Sequence, residues 1–508
     1  MISATNLDLC LRWLDKLDTE HSGSLFALFA ALARGEVTSL PALRPHQREP
    51  WHAFAVQVAA MALIAAGFTS MPENEEGWRS LLLVLTPDWP DGEAWSLVVQ
   101  DWSRPALLQP PVVQAANRAD YRSMIVTPDA LDMLVTSRNH DVKAERMQRA
   151  ADEDWFFALL TLQTTEGYLG AGNFGISRMN GGFASRMVLG LRSQNGMAAC
   201  WHRDVSRLLE DARARPDRRA GLTLLWLPTW DGTVQLGFGA LDELYVDACR
   251  RIRLGRTVDG EIEAQAAGSK VARVAAAALK GITGDPWAPL KADGSASVTP
   301  TASGFGYRQI TRLLQNKDTV RPLLAEPSAG DPPDGMALVA AALVRGQGKT
   351  EGLHRRTIPF SRTVRAKLRP AVFLDRAGEV AGGRMEDAGE AGRRLRYALF
   401  ALYQGGPDKV RRDDDASGGK AAPWLTTFDR DVDRVFFDDV FWKDVARKVE
   451  APRRSWRIRL RTMASDVFED AAAAAPRTAE RRIRARAVAR NILDGSLRRF
   501  VEDTADGA

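Results

Sequence analysis

The residues best suited to holding a ligand are concentrated between 167 and 182. Gly167, Gly170, Gly172, Gly175, Gly181 and Gly182 frame Tyr168, Asn173 and Phe174 there. Glycine has no side chain to hold the main chain off a partner, so backbone N–H groups in such a stretch can approach a phosphate or a base edge. Arg178 follows and could neutralise a phosphate. The same stretch also reads as an ordinary loop of tight turns. A second segment, Gly346-Gln347-Gly348-Lys349-Thr350, ends in Gly-Lys-Thr, but Leu343 stands where a phosphate-binding loop needs its first glycine.

Catalytic patterns are missing. The sequence contains no H-E-x-x-H and no G-x-S-x-G, and its six histidines are scattered. His140 and Asp141 are adjacent, but a metal-dependent nuclease needs several clustered carboxylates or histidines. The cysteines Cys10, Cys200 and Cys249 are far apart and form no C-x-x-C, which argues against a disulfide framework or a zinc ribbon and fits a reducing cytoplasm. The residues therefore predict a binding protein with no catalytic residues, metal or cofactor.

Around these segments the chain is long, 508 residues, which is too much for one compact core. Its net charge of +5 permits a nucleic-acid partner without requiring one. The longest apolar run near the start, Phe54 to Gly67, is too short to span a membrane, and no signal peptide precedes it. The fourteen tryptophans suit core anchors or partner-facing residues.

The elements that must position the glycines follow from periodicity. Apolar spacing of three and four predicts helices over 7–35 and 46–67, and a buried helix at Trp155–Leu162 leads into the glycine stretch. A strand is expected at Ala94–Val99. Thr127-Pro128-Asp129 reads as a helix start, with the helix running to about Val135 and a polar surface loop after it. Asp231-Gly232, between Thr223–Leu227 and Val234–Leu236, signals a hairpin, and Asp293-Gly294 a second one. Four apolar stripes follow from residue 374: one ending with Leu395, Leu399 and Leu402, then Phe428 to Val440, Trp456 to Val467 and Ala489 to Phe500. A polar loop at Arg411–Gly419 and Pro476 separate them. The expected fold is α+β, a mixed domain over 1–373 followed by a C-terminal four-helix bundle over 374–508. Thirteen arginines and no lysine lie between Arg453 and Arg499, either a solvated helix face or a phosphate-tracking or docking surface.

The order of these features resembles the CasA family, the large subunit of the type I-E CRISPR Cascade complex. The likeness is carried by Thr127-Pro128 and the polar loop 136–146, by Trp155 to Gly182, by Leu40-Pro41 and Trp102 to Val113 upstream, and by Phe305 to Ile310 and Leu343 to Phe360 downstream. Order and spacing carry it over most of the chain. The resemblance implies a subunit that recognises the protospacer-adjacent motif (PAM) in duplex DNA from the minor groove, helps open the strands for pairing with the guide and recruits the helicase-nuclease. Its partners would be the other Cascade subunits, the 5′ handle of the crRNA, target double-stranded DNA and that nuclease. Carried over by residue, the loop with Arg138, Asn139, His140 and Lys143 meets the crRNA or a subunit. Gly170, Gly172, Asn173, Phe174, Gly175, Arg178 and Lys291 meet the DNA. Gly346, Gln347, Gly348, Lys349 and Thr350 form the wedge, with either Gln347 or Lys349 at its tip. Some family members carry a zinc-binding segment after the hairpin; here Asp242 to Arg253 holds Cys249 alone, so no zinc is expected. Two other readings stay open: an enzyme acting on nucleic acid through a dispersed active site, and a DNA-binding regulator whose bundle dimerises.

Overall fold

The computed structural model describes residues 9–132, 150–181, 186–301, 303–332, 335–346, 349–362, 370–447, 453–475 and 479–502. The chain forms two compact units, Met1–Phe305 with Thr319–Pro359, and Gly306–Asp318 with Phe360–Ala508. The second unit thus begins at Phe360 rather than at residue 374, and it takes in a segment from the middle of the chain.

The first unit is built around helix α2 (Arg48–Ala66), which is buried over most of its length. Helix α1 (Leu25–Ala33) packs against α3 (Glu75–Leu83) and α7 (Met197–Ala214), and α3, α6 (Asp152–Thr165) and α7 pack on α2. Two one-turn helices, α4 (Ala115–Arg118) and α5 (Pro128–Leu131), lie between α3 and α6 in sequence. Trp51, Trp78, Trp95, Trp155, Trp201, Trp226 and Trp287 are fully buried in this unit, so they serve as core anchors. Trp51 meets Phe156 and Phe157 edge-on at 6.0 and 5.8 Å.

Strands form several small sheets. β1 (Leu11–Leu14) pairs with β2 (Glu20–Gly23); β3 (Ser123–Ile125), β8 (Arg251–Arg256) and β9 (Ile262–Ala267) form a sheet with β9 central. The longest strands, β13 (Met336–Gly346) and β14 (Lys349–Pro359), make an antiparallel hairpin whose inner strand also pairs with β4 (Val188–Ser193). Irregular main chain between these sheets is satisfied by buried amides. Gln163 donates to the Leu108 and Arg250 carbonyls and accepts from the Arg250 N–H, while Gln109 donates to Leu97 and accepts from Leu254. Each removes a desolvation cost of about 1–3 kcal/mol per orphaned group.

Several expectations are corrected. Residues 11–23 form a strand pair, not part of a helix: Leu11 and Trp13 are buried and Arg12 exposed, a period of two, and Leu17 in the turn is 86% exposed. Glu93–Trp95 is a short 3-10 turn instead of a strand. Helix α5 stops at Leu131 because Asp132 turns extended and its carboxylate accepts from Gln47 (2.7 Å) and lies 2.6 Å from His46 Nε2. Thr127 makes no side-chain cap there. Asp231-Gly232 does form a tight turn, but its flanks do not pair with each other. β5 (Leu222–Leu224) runs parallel to β7 (Leu241–Val246), and β6 (Leu236–Gly237) parallel to β10 (Val274–Ala275).

Among the described residues the second unit holds α8 (Tyr307–Leu314) and five helices after residue 369: α9 (Pro370–Tyr403), α10 (Asp415–Val435), α11 (Asp439–Ala446), α12 (Arg453–Ala473) and α13 (Ala479–Glu502). The four long ones alternate in direction. Residue 400 of α9 faces 418 of α10, 384 faces the start of α12 at Trp456, and Arg394 Nε reaches the Ser496 carbonyl of α13. The second stripe breaks at Asp438, which caps α11 through the Phe441 N–H, so Val440 belongs to a separate short helix. Helix α10 begins at Asp415, inside the expected loop, because Asp414 caps it through the Ser417 N–H. No helix among the described residues is long and apolar enough to cross a membrane.

Candidate nucleic-acid interface

The glycine loop emerges from the C-terminus of α6. Its turn is closed by Leu169 N–H to Asn173 O (2.9 Å) and Asn173 N–H to Gly170 O (3.0 Å). Gly172 has φ +84° and its carbonyl accepts from the Ser269 N–H, so its main chain lies against Gly268. A Cβ on Gly175 would stand 2.6 Å from the Gly167 carbonyl carbon, so only glycine fits. Leu169, Ala171 and Asn173 are exposed, and Phe174 leans on Tyr168 at 5.7 Å. The loop is thus pinned on its inner side and open on its outer side.

Arg178 does not fit the role expected for it. It is 2% exposed, its guanidinium lies over the Tyr245 ring at 3.9 Å, and it donates to the Glu243 and Tyr245 carbonyls. Stacking on an aromatic face and bonding to β7 hold it inside, away from any phosphate. Beside it Ser177 Oγ bonds Asp247, whose carboxyl burial pushes up to about 6 while Arg178 opposes the rise.

Lys291 is exposed at the start of a turn closed by Lys291 N–H to Ala296 O (2.9 Å), with β11 (Leu290–Lys291) paired to β12 (Thr319–Val320). Asp293 braces this turn by accepting from Ser295 N–H. The glycine loop is tied to the Lys291 turn by Asn180, which donates to Ser297 O (3.0 Å) and lies 3.4 Å from Thr299 Oγ1. This residue pair escaped sequence reasoning, because 117 residues separate its members and neither belongs to a motif.

In the expected wedge, Gly346 pairs with Lys349 at the end of the β13–β14 hairpin; Gln347 and Gly348 lie outside the described residues, as do Arg138, Asn139, His140 and Lys143. β4 pairs with β13 from Met336 to Ala341; beyond that, among the described residues, β13 pairs with β14 alone, with Ala342, Leu343 and Val344 still buried, so the hairpin continues past the three-stranded part as a two-stranded overhang with a buried root. The root of that overhang shares a concavity with Thr165 at the end of α6 and with Arg186. Arg186 forms a two-pronged ion pair with Asp285 (2.6 and 2.8 Å), six residues before Lys291. The end of α6, which leads into the glycine loop, and Arg186, bonded to the segment that leads to the Lys291 turn, therefore meet the hairpin root.

Behind β4 lies a buried charge network. Arg192 bonds Asp204 (2.6 Å) and Glu49 (3.0 Å), and His52 Nε2 is 2.8 Å from Asp204. Burial alone would raise the Asp204 pKa, but Arg192, His52 and Arg203 overcome it and bring it to about 2. Arg355 on β14 lies 3.7 Å from Glu49, linking the hairpin to this network. Among the described residues no group of three histidines, cysteines or acids could hold a metal. Cys249 points its thiol at the Leu162 carbonyl, and burial pushes its pKa up to about 12.

Solved structures share this fold. Cse1 from Acidimicrobium ferrooxidans matches with a TM-score of 0.61 at 14% identity, covering 97% of both chains. CasA from Thermus thermophilus matches with 0.63 at 14% identity, covering 97% of this chain and 99% of its own. The chain has the Cse1/CasA fold. Thermobifida fusca Cse1 agrees, with 0.57 at 13% identity over 99% and 98% of the two chains. No family model and no curated protein matches the sequence. At these identities the fold has outlasted almost all side-chain identity, so the Cse1/CasA likeness rests on backbone course and not on shared motifs.

Proposed function

We propose that this protein is the large subunit of a type I-E Cascade complex, which recognises the PAM in duplex DNA, helps open the strands for crRNA pairing and recruits the helicase-nuclease. The observation that carries the reading is the β13–β14 hairpin, longer than the sheet it belongs to and rooted beside the end of α6 that leads into the glycine loop, in a chain of Cse1/CasA fold. A rigid two-stranded arm can enter between base pairs, where unstacking costs a few kcal/mol per step. An open-faced glycine loop and a lysine on a braced turn can hold the flanking groove. Minor-groove contacts discriminate few base pairs, which suits a short motif, while pairing with the guide supplies the rest of the specificity. In this reading the protein is not an enzyme. It works in the cytoplasm beside the other Cascade subunits, the crRNA 5′ handle, target DNA and the nuclease, with the polar loop at 138–143 on the crRNA side.

The test is duplex binding by the reconstituted complex, with and without candidate motifs. The protein is supplied as wild type, omitted, or supplied as Lys349→Ala or Gly172→Asp. Motif-dependent binding that needs the protein and weakens about tenfold or more in both variants is expected. Binding that ignores the motif, or does not need this protein, overturns the reading.

A further inference from the structure

The second unit has a concavity of about 440 Å³ between α9, the segment before α10, and α13. Arg396 lies over the Phe400 ring at 5.1 Å, and Arg412 over Tyr397 at 5.0 Å. Arg412 is fixed there, because Gln404 at the end of α9 donates to the Arg411 carbonyl (2.7 Å) and accepts from its N–H (2.9 Å). Arg393, with its side chain 70% exposed, and Arg394 share the one carboxylate of the lining, Glu390. Among the described residues neither Arg396 nor Arg412 has a carboxylate partner, and Asp413, Asp414 and Asp415 do not line the concavity. A guanidinium lying on a ring keeps its in-plane N–H groups for a ligand and offers its outer face for stacking.

We propose that this concavity is a binding site for a nucleotide, in which Arg396 and Arg412 hold the phosphate and their planar faces support the base. Its volume suits one nucleotide unit, either free or within a single strand. Paired guanidinia match phosphate oxygens in a way that scattered surface lysines do not. Four other arginines of the bundle are already committed, Arg453 and Arg457 to Asp387, and Arg486 and Arg490 to Glu469. The inference does not rest on the Cascade reading, which concerns the other unit.

The experiment measures binding of a fluorescein-labelled oligothymidylate to the full chain, with thymidine monophosphate, inorganic phosphate and polyglutamate as competitors. The variants are Arg396→Gln, Arg412→Gln, their combination, Arg412→Lys and, as a control away from the groove, Arg461→Gln. We expect the double variant to lose about tenfold or more in affinity, Arg412→Lys to fall in between because it keeps charge without planarity, and Arg461→Gln to change little. Competition by the mononucleotide assigns the site to a free nucleotide; competition only by unlabelled strand assigns it to single-stranded nucleic acid. Unchanged binding by the double variant, an equal loss in Arg461→Gln, or equal displacement by phosphate or polyglutamate overturns the proposal. Motif-dependent duplex binding by the reconstituted complex should survive in the double variant, so the two readings fail separately.

Discussion

Asp204 shows how one residue can stabilise the wall behind the β13–β14 hairpin. It is fully buried and accepts from Arg192 and Arg203, with His52 at 2.8 Å. Its folded pKa, about 2, lies below the ordinary 3.8, so its stabilising contribution is complete above pH 3.8 and disappears as pH falls through 2. The shift corresponds to about 2 kcal/mol. His52 acts in the same direction: burial lowers its pKa below 6.5, so the unfolded chain gains a proton first as pH falls and stability drops. Asp204→Asn takes one carboxylate from Arg192, which keeps Glu49, and one from Arg203, which keeps Asp331, and should cost about 3 kcal/mol near neutral pH. Melting curves from pH 7 to 2 check this: below about pH 4 wild type should lose more stability than the variant, and parallel curves would show that Asp204 does not set the acid limb.

At the scale of elements, the hairpin arm should be separable from the fold that carries it. Among the described residues β13 beyond Ala341 pairs with β14 alone, so joining Leu343 to Leu353 through Asn-Gly in place of residues 344–352 removes the arm without breaking the sheet. The melting temperature should move by only a few degrees, while permanganate reactivity of thymines next to the motif should vanish in the reconstituted complex. Retained reactivity would mean that another element opens the strands. The arm was legible in sequence only as a Gly-Lys-Thr segment; its length depends on a partner, β4, about 150 residues earlier. Helix α2 was legible because its apolar positions recur at three and four, and α6 because Trp155–Leu162 is a strongly apolar run. The strand pair at 11–23 was not, because Leu11 and Trp13 two apart also fit a helical stripe with Leu14 and Leu17, and only pairing across the turn at Asp15–Thr19 distinguishes them. Parallel pairing of β5 with β7 left no local signal at all. In the site, the turns at Gly170–Gly175 and Asp293-Gly294 could be read from glycine and aspartate, whereas the inward course of Arg178 depends on Tyr245, which no local pattern connects to it.

The whole molecule divides in space differently from how it divides in sequence, and this has a consequence for its parts. Helix α8 leaves the first unit's chain at Gly306 and belongs to the second. There Tyr307 donates through its N–H to Asp433 (2.5 Å) and through its hydroxyl to Asp429 (2.8 Å), and its ring meets Phe436 at 4.6 Å. Ile310, Leu313 and Leu314 are all buried, and the Leu314 carbonyl lies close enough to Gly378 that a Cβ there would stand at 2.7 Å. A fragment cut at residue 360 keeps all five C-terminal helices but loses this helix, exposing the faces of α9 and α10 that it covers. Three buried aliphatic side chains and a tyrosine at about 1.5–3 kcal/mol each come to about 6–12 kcal/mol, comparable with the whole margin of a typical domain. Residues 360–508 alone should therefore bind a hydrophobic dye and melt broadly. Adding a peptide of residues 303–320, or fusing it through a flexible linker, should restore a cooperative transition. Circular dichroism melts of the fragment with and without the peptide decide it: a cooperative melt of the bare fragment would show that the bundle's own core suffices and that α8 is an addition to it, not a part of it.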